Sequence, residues 1–387
     1  MKPIPILLTV RELDQGGIER DVTKIALRLD RSRFEPHVAS YRAEGMRFEE
    51  LRKAGIPYLH LPVSTFRSPA VFLAAMRMER YVRKRKIRLV HSWDPSAVFA
   101  VPIARLLRVP AVLSSMLGSR ELLDPRTRRQ VRWTDRMVDA VVVNCEAMRR
   151  HMACEEGFPM DRIELCYNGV DTTEFHPGPA VKHNSFKGAS LVIGTVSVLR
   201  PEKSLNLLQE AFGRIRHLRA GMKLMIVGSG PELPRLETNS RRLGLQNECV
   251  LVPATPKIAD FLRVFDIFVS SSSSEAFSNS ILEAMACGIC PVGSRVGGTP
   301  ELIGNDERGL LFESGNPDDL AAKLRTLIEN GDIRRELGTR AAEFARTRLK
   351  IEIAASRMAD IYETILRKKE AWSGPLSSVE MPTTLST

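Results

Sequence analysis

The stretch from Phe265 to Ile303, FDIFVSSSSSEAFSNSILEAMACGICPVGSRVGGTPELI, constrains the fold more than any other part of the chain. Phe265 to Val269 is a mostly apolar run of strand length, stopped by the serines Ser270 to Ser274. Ile281, Leu282, Met285 and Ala286 then recur at helical spacing. A second strand, Ile289 to Ser294, leads through Gly297-Gly298 to another helix start at Thr299. Two strand-to-helix corners this close together belong at the carboxyl edge of a parallel sheet, where such sheets bind ligands. Glu275 follows the serines, and Glu283 lies inside the first helix. A glutamate at a helix start is ordinarily a surface residue favoured by the helix dipole. Glu283 is harder to dismiss, because an ionised side chain beside Leu282 and Met285 needs a partner if it is buried.

The rest of the chain keeps the same strand–helix alternation, which argues for parallel β-α units. Ile4 to Val10 reads as a strand, and Ile18, Val22, Ile25, Ala26 and Leu29 as one helix face. Between them stand Gly16 and Gly17, which at a helix N-terminus let backbone N–H groups approach a phosphate. The pair lacks the spacing of a dinucleotide fingerprint and could equally do no more than turn the chain. His91 ends the strand LVHSW, a position that suits either a cleft residue or a core histidine with a satisfied hydrogen bond. The strand Ala111 to Met116 leads to Arg120, a candidate for anion contact. Residues 176–188 are rich in Pro, Gly and polar residues and read as a boundary between domains. Beyond it, the strand Leu191 to Ser197 turns through Arg200 and Lys203 on the side of Glu275. Paired cations at such a corner suit a diphosphate leaving group. Most loop cations are simply solvated. The strand Met222 to Val227 ends in Gly228-Ser229-Gly230-Pro231, which allows a tight turn and close approach of a nucleotide.

A chain of 387 residues exceeds what one hydrophobic core normally serves, so two domains are expected. No run reaches the length of a membrane span, and Met1 to Val10 reads as a buried strand rather than a signal peptide; a cytoplasmic protein is expected. Six cysteines do not make a disulfide framework in a chain this long. Cys287 and Cys290 form a C-x-x-C without a second close pair, so core filling is the simpler reading. The net charge of +11 gathers in Arg77 to Arg88 and Arg126 to Arg136. Such patches serve a nucleic acid, an anionic lipid or a polyanionic ligand, or are merely a solvated face.

Taken together, the motifs resemble retaining nucleotide-sugar glycosyltransferases of the GT-B type, in particular the large family-4 group. The matching residues are the glutamate pair Glu275 and Glu283, the helix end Glu283-Ala-Met-Ala-Cys-Gly288, the turn Gly297-Gly298-Thr299-Pro300-Glu301 and the corner Arg200-x-x-Lys203. Asn168-Gly169-Val170-Asp171 and Gly16-Gly17 with Glu19 are similar to further family turns. Ala276 and Cys290 depart from the commoner glycine and proline, and Met116 and Arg120 stand where many relatives place a histidine.

The resemblance implies an α/β fold with two Rossmann-like domains facing across a cleft. Residues 1–175 would form the acceptor-side domain, completed by a final helix at about 350–370 that crosses back. Residues 189–349 would bind the nucleotide sugar, and 373–387 would be a disordered tail. It also implies roles. Arg200 and Lys203 neutralise the diphosphate, Glu275 holds a donor-sugar hydroxyl, and Glu283 accepts hydrogen bonds from the ribose. Gly16, Gly17, Gly228 and the amides of Phe277 and Ser278 line the donor, while His91 and Arg120 lie on the acceptor side. The expected partners are a UDP- or GDP-sugar, a hydroxyl acceptor of the lipid-linked kind and the inner face of an anionic membrane, with no nucleic acid. No cofactor or metal is expected, because protein cations meet the phosphates. The setting implied is polysaccharide, lipid-linked saccharide or glycolipid synthesis. Two other readings stay open: a sugar-nucleotide epimerase of the same architecture, and a basic binding protein without catalysis.

Overall fold

The computed structural model describes residues 2–14, 16–63, 69–93, 95–118, 120–179 and 188–372, with side chains to 369. Of the expected linker, residues 180–187 lie outside that set, as does the expected tail at 373–387. The first lobe begins β1 (Ile4–Val10), α1 (Gly17–Arg28), β2 (Phe34–Ser40), α2 (Met46–Lys53), β3 (Tyr58–His60), α3 (Ala70–Arg85) and β4 (Leu89–Trp93). It continues α4 (Ala97–Leu106), β5 (Ala111–Met116), α5 (Pro125–Asp135), β6 (Ala140–Val143), α6 (Glu146–Cys154) and β7 (Ile163–Leu165). The second lobe begins β8 (Leu191–Val196), α7 (Leu205–Ile215), β9 (Met222–Val227), α8 (Leu233–Arg242), β10 (Cys249–Val252), α9 (Ile258–Leu262) and β11 (Ile267–Ser270). After these come α10 (Asn279–Ala286), β12 (Cys290–Ser294), α11 (Thr299–Ile303), β13 (Leu310–Phe312), α12 (Pro317–Glu329) and α13 (Gly331–Arg348). A final helix, α14 (Ile351–Trp372), follows. The sequence alone does not suggest α4, an apolar segment interrupted by Pro102.

Each lobe is one parallel sheet, ordered β3-β2-β1-β4-β5-β6-β7 in the first and β10-β9-β8-β11-β12-β13 in the second. Helices cover both faces, so the central strands are apolar throughout: Leu7 of β1 packs into one core cluster while Ile6 and Leu8 pack into another. The order reverses between β1 and β4, and again between β8 and β11. Loops leaving such a pair of strands diverge to opposite faces and open a crevice. Gly16–Gly17 follows β1; residues 198–203 follow β8, and residues 271–278 follow β11. These are the loops that carry the candidate site.

The chain returns to the first lobe through α14. Val170 N–H donates to the Leu349 carbonyl (2.8 Å) and Ile351 N–H to the Val170 carbonyl (3.0 Å), so the two passages of chain between the lobes are bonded to each other. Gly169 is required there, since a Cβ would lie 2.5 Å from the Ile351 Cα. Ala355, Met358 and Tyr362 of α14 then complete the core that α1 shares with β1, β4 and β5.

That helix also decides the fate of His91. Placed on the acceptor side by the sequence, it is instead a fully buried core residue. Nδ1 lies 2.7 Å from the Tyr362 hydroxyl, Nε2 lies 2.8 Å from Ser115 Oγ, and the ring stacks on Trp93. Burial takes its pKa down to about 3 from 6.5. The unfolded chain therefore takes up a proton below 6.5 that the folded chain refuses until about 3. Stability from this group is present above that window and is lost as pH falls through it, by at most about 1.4 kcal/mol per pH unit. Denaturant midpoints at pH 7 and pH 5 should differ less in His91→Asn than in the parent. An identical pH slope in both would mean that His91 is not held neutral.

Candidate functional site

The serine block has a defined job. Ser271 Oγ donates to the Lys203 carbonyl (2.9 Å), and Ser273 donates to the Glu202 carbonyl through its backbone N–H (2.8 Å) and its hydroxyl (3.2 Å). The loop after β11 is thereby fastened to the corner after β8. Ser294 Oγ holds the same loop from β12 at the Ser272 carbonyl (2.5 Å). Gly297, at φ +51°, packs so tightly that a Cβ would overlap the Glu275 carbonyl, and Gly298 N–H donates to the Ala276 carbonyl (2.6 Å). Ser204, a non-glycine residue at φ +47°, bends the opposite corner, a conformation that costs on the order of 1 kcal/mol.

This framework brings Lys203 and Glu275 together, with Nζ 2.6 Å from Oε2 and Ser272 Oγ 3.3 Å from the same oxygen. Arg200 is exposed on the same corner, and its charge reaches the Glu19 carboxylate of α1. Glu19 folds back over Gly16, where a Cβ would lie 1.7 Å from its Oε2. A carboxylate therefore occupies the space at the helix N-terminus that suits an anion. Burial raises the Glu19 pKa. Gly17 faces Asn279 of the second lobe, whose Nδ2 would lie 3.8 Å from an added Cβ.

Glu283 is only 1% exposed, and its counter-charge comes from the other lobe. Arg20 Nη1 of α1 stands 2.8 Å from Oε1, with Lys24 Nζ at 3.9 Å. Despite that ion pair, neither Glu283 oxygen accepts a well-aligned hydrogen bond, so both retain capacity for hydroxyl donors. Lys24 also donates to the Gly169 carbonyl (3.1 Å), and burial lowers its pKa. Asn279 Nδ2 donates to both oxygens of Asp21 (3.0 and 3.2 Å), whose pKa burial raises. Asn168 donates to Asn279 Oδ1 (3.3 Å).

A second carboxylate crosses the seam. Glu301 of α11 caps the N-terminus of α6, accepting from the N–H groups of Glu146 (2.9 Å) and Ala147 (2.8 Å) and from the Tyr167 hydroxyl (3.0 Å). Sequence reading passes over Arg20, Asp21, Lys24, Asn168, Asn279, Tyr167 and Glu301 as site residues. The available signal is that Arg20 and Lys24, one helical turn apart on the helix that the Gly-Gly opens, share one face of it.

Other expected positions fall elsewhere. Arg120 is 1% exposed and paired with Asp135 at 2.6 and 3.1 Å, with Glu156 at 3.8 Å, so its charge is neutralised inside the first lobe rather than presented to an acceptor. At Gly228 the missing side chain makes room for backbone, since a Cβ would lie 1.9 Å from the Ser197 carbonyl oxygen. Ser278 caps α10 through Ile281 N–H (3.4 Å), and Phe277 is buried with its ring 5.3 Å from that of Tyr167. Cys287 and Cys290 are free and buried, with both thiols pushed up to about 12 by burial.

Two facing Rossmann-like lobes with a charged crevice define a GT-B protein. A model of glycosyl transferases group 1 matches residues 180–344, and a model of glycosyltransferase family 4 matches residues 15–174. The N-acetyl-alpha-D-glucosaminyl L-malate synthase of Bacillus anthracis is 26% identical over 318 residues, covering 79% of this chain and 82% of that protein. A D-inositol 3-phosphate glycosyltransferase of Segniliparus rotundus is 26% identical over 67% of this chain, a match that spans 57% of that protein's length. HepE of Anabaena, solved in complex with UDP-glucose, superposes with a TM-score of 0.82 at 21% identity over 93% of this chain and 100% of that one. The chain belongs to the group 1 glycosyltransferases and is a hexosyltransferase-type enzyme.

Arg20→Ala should cost about 3 kcal/mol of unfolding free energy, because it leaves Glu283 buried beside only a distant lysine. Adding Glu283→Gln to that variant should restore part of the loss. Denaturant midpoints of the two single variants and the double variant check the coupling; strictly additive losses would deny it.

Proposed function

We propose that this enzyme transfers a hexose from a nucleoside diphosphate sugar to a hydroxyl acceptor with retention of anomeric configuration. The single observation that carries the reading is the Lys203–Glu275 pair, 2.6 Å apart at the switch point of the second sheet, on the corner whose Arg200 acts on Glu19 of α1. Arg200 and Lys203 take the negative charge that develops on the β-phosphate as the glycosidic bond lengthens. Glu275 holds a donor-sugar hydroxyl and offsets positive charge growing at the anomeric carbon. Glu283, with Arg20 on Oε1, keeps Oε2 as the acceptor that ribose hydroxyls would use. The amides of Phe277 and Ser278 meet the hexose, and Gly16 and Gly17 give the diphosphate room. The departing phosphate takes the acceptor proton on the same face, which accounts for retention without a protein base. With Arg200 and Lys203 doing the work of a Lewis acid, turnover needs no divalent ion.

A uridine donor is favoured over a guanosine one, since HepE is a structural neighbour that holds UDP-glucose. The relatives' names contain L-malate and D-inositol 3-phosphate, so a small anionic hydroxyl compound belongs among the acceptors to be tried beside lipid-linked ones. The lipid-linked reading draws on the outer layer formed by α3, α4 and α5. There Phe72 (71% exposed), Leu106 (82%) and Trp133 (55%) stand among the exposed arginines of α3 and α5. Such a surface suits peripheral contact with the inner face of an anionic membrane, in the synthesis of polysaccharide or glycolipid. No helix among the described residues is long and apolar enough to cross a membrane.

Lys203→Ala should lower kcat by roughly two to three orders of magnitude, about 3 to 4 kcal/mol of barrier, with UDP-sugars as donors. Chelation with EDTA should leave turnover unchanged. Normal turnover by Lys203→Ala would remove the leaving-group role, and turnover restored only by added magnesium would assign that role to a metal. Sedimentation with phosphatidylglycerol vesicles should be lost in Phe72→Asp/Trp133→Asp, and its persistence would remove the membrane reading.

A further inference from the structure

Outside the cleft, the structure holds a second concentration of positive charge, only part of it paired, and it surrounds a cavity. The cavity measures about 370 Å³ and lies where β7, α6 and the junction of α13 with α14 meet. Its rim carries Arg149, Arg348, Lys350 and Arg357 against a single carboxylate, Glu164. Arg357 uses that carboxylate (3.1 Å) and the Leu165 carbonyl (3.1 Å). Arg149 reaches Glu146 at 3.2 Å, yet its Nε is buried without a hydrogen-bond partner. The side chains of Arg348 and Lys350 make no ion pair or hydrogen bond among the described residues. Leu349 and Ile353 contribute an apolar floor.

Two uncommitted cations beside two paired ones, an orphaned guanidinium N–H and a floor for a carbon skeleton describe a receptor for a small anion rather than a solvated face. The size is at the lower end of ordinary ligand pockets, enough for a monosaccharide phosphate. Guanidinium groups favour phosphate because their N–H pairs match two oxygens at once. The position is also specific. Tyr167 and Asn168 form one wall, and these two side chains bond Glu301 and Asn279 of the second lobe. Lys350 stands at the point where the two passages of chain between the lobes are hydrogen-bonded together.

We propose that this cavity is a second anion site, which binds the phosphate monoester of a sugar-sized molecule between the lobe crossings, apart from the Arg200–Lys203 corner. Arg348 and Lys350 supply the uncommitted charge, and Arg149 Nε supplies a buried donor. The same headgroup chemistry is available on a soluble ester or on a lipid, and the test separates them.

The experiment is calorimetric titration of the full chain with D-glucose 6-phosphate, run on the parent, on Lys203→Ala and on Arg348→Glu/Lys350→Glu. One equivalent should bind, with affinity held within about twofold in Lys203→Ala and weakened at least about tenfold in the charge-reversed pair. Arg348 is exposed, Lys350 is half-buried and both side chains are unpaired among the described residues, so the variant should melt as the parent does; Arg348→Ala/Lys350→Ala replaces it if it does not. Binding that vanishes with Lys203→Ala, or that the reversed pair retains, overturns the proposal; the former outcome leaves the donor-site reading standing. A parallel arm uses vesicles containing phosphatidic acid. Sedimentation that the reversed pair loses, without binding of the soluble ester, would assign the monoester to a lipid headgroup in the same cavity. Failure in both arms overturns the site.

Discussion

A buried carboxylate cannot be left alone, and Glu283 is 1% exposed where the two lobes meet. Its counter-charge is Arg20, on the first helix of the opposite lobe, so the electrostatic requirement of one side chain fixes how the lobes face. Glu301 repeats the arrangement with backbone amides in place of a guanidinium, and Asp21 reverses it by taking its donor from Asn279. The seam joins these paired polar groups to one apolar cluster that draws Cys145, Met148 and Val170 from the first lobe and Ala276, Phe277 and Ile281 from the second. Such pairs punish a misaligned docking more severely than apolar contacts do, because each broken pair exposes a charge to a poor solvent. A crevice whose walls are registered in this way needs little reorganisation to receive a charged donor.

Within the second lobe, the groups expected to act on the donor are aligned by inexpensive means. Serines along one loop bond the carbonyls of another, and two glycines allow a third segment to press against the first. The result is a cation and an acid in contact although they lie far apart in sequence. Ser204 holds an uncommon backbone conformation at the turn beside the cation. Strain of this kind persists only where neighbours over-determine it, and here they do.

The residues that were legible in the sequence are those whose position follows from local pattern. Arg200, Lys203 and Glu275 each sit just beyond a strand end, and Glu283 lies on the helix that follows, so alternation of strand and helix places them near a sheet edge without knowledge of the rest. His91 shows where that logic stops. The end of a strand sets depth along the sheet but not which layer covers it, and the covering residue, Tyr362, is 271 positions away. Arg120 is similar: nothing beside it in sequence announces that Asp135 and Glu156 close over it. Arg20 and Lys24 look like ordinary helix cations until the second lobe is placed against them. Gly228 is read from the sequence as room for a nucleotide, whereas the atom that a Cβ would meet there is the chain's own Ser197 carbonyl oxygen.

Because the passages of chain between the lobes are stitched together at Val170, the molecule has one pin in place of two independent tethers. A pinned pair of bodies can swing but can scarcely slide. Groups next to the pin, such as Asn168 and Asn279, would stay in register through a swing, while the distant lip of the crevice travels furthest. An entering acceptor would thus meet walls whose alignment is kept from the side of the pin.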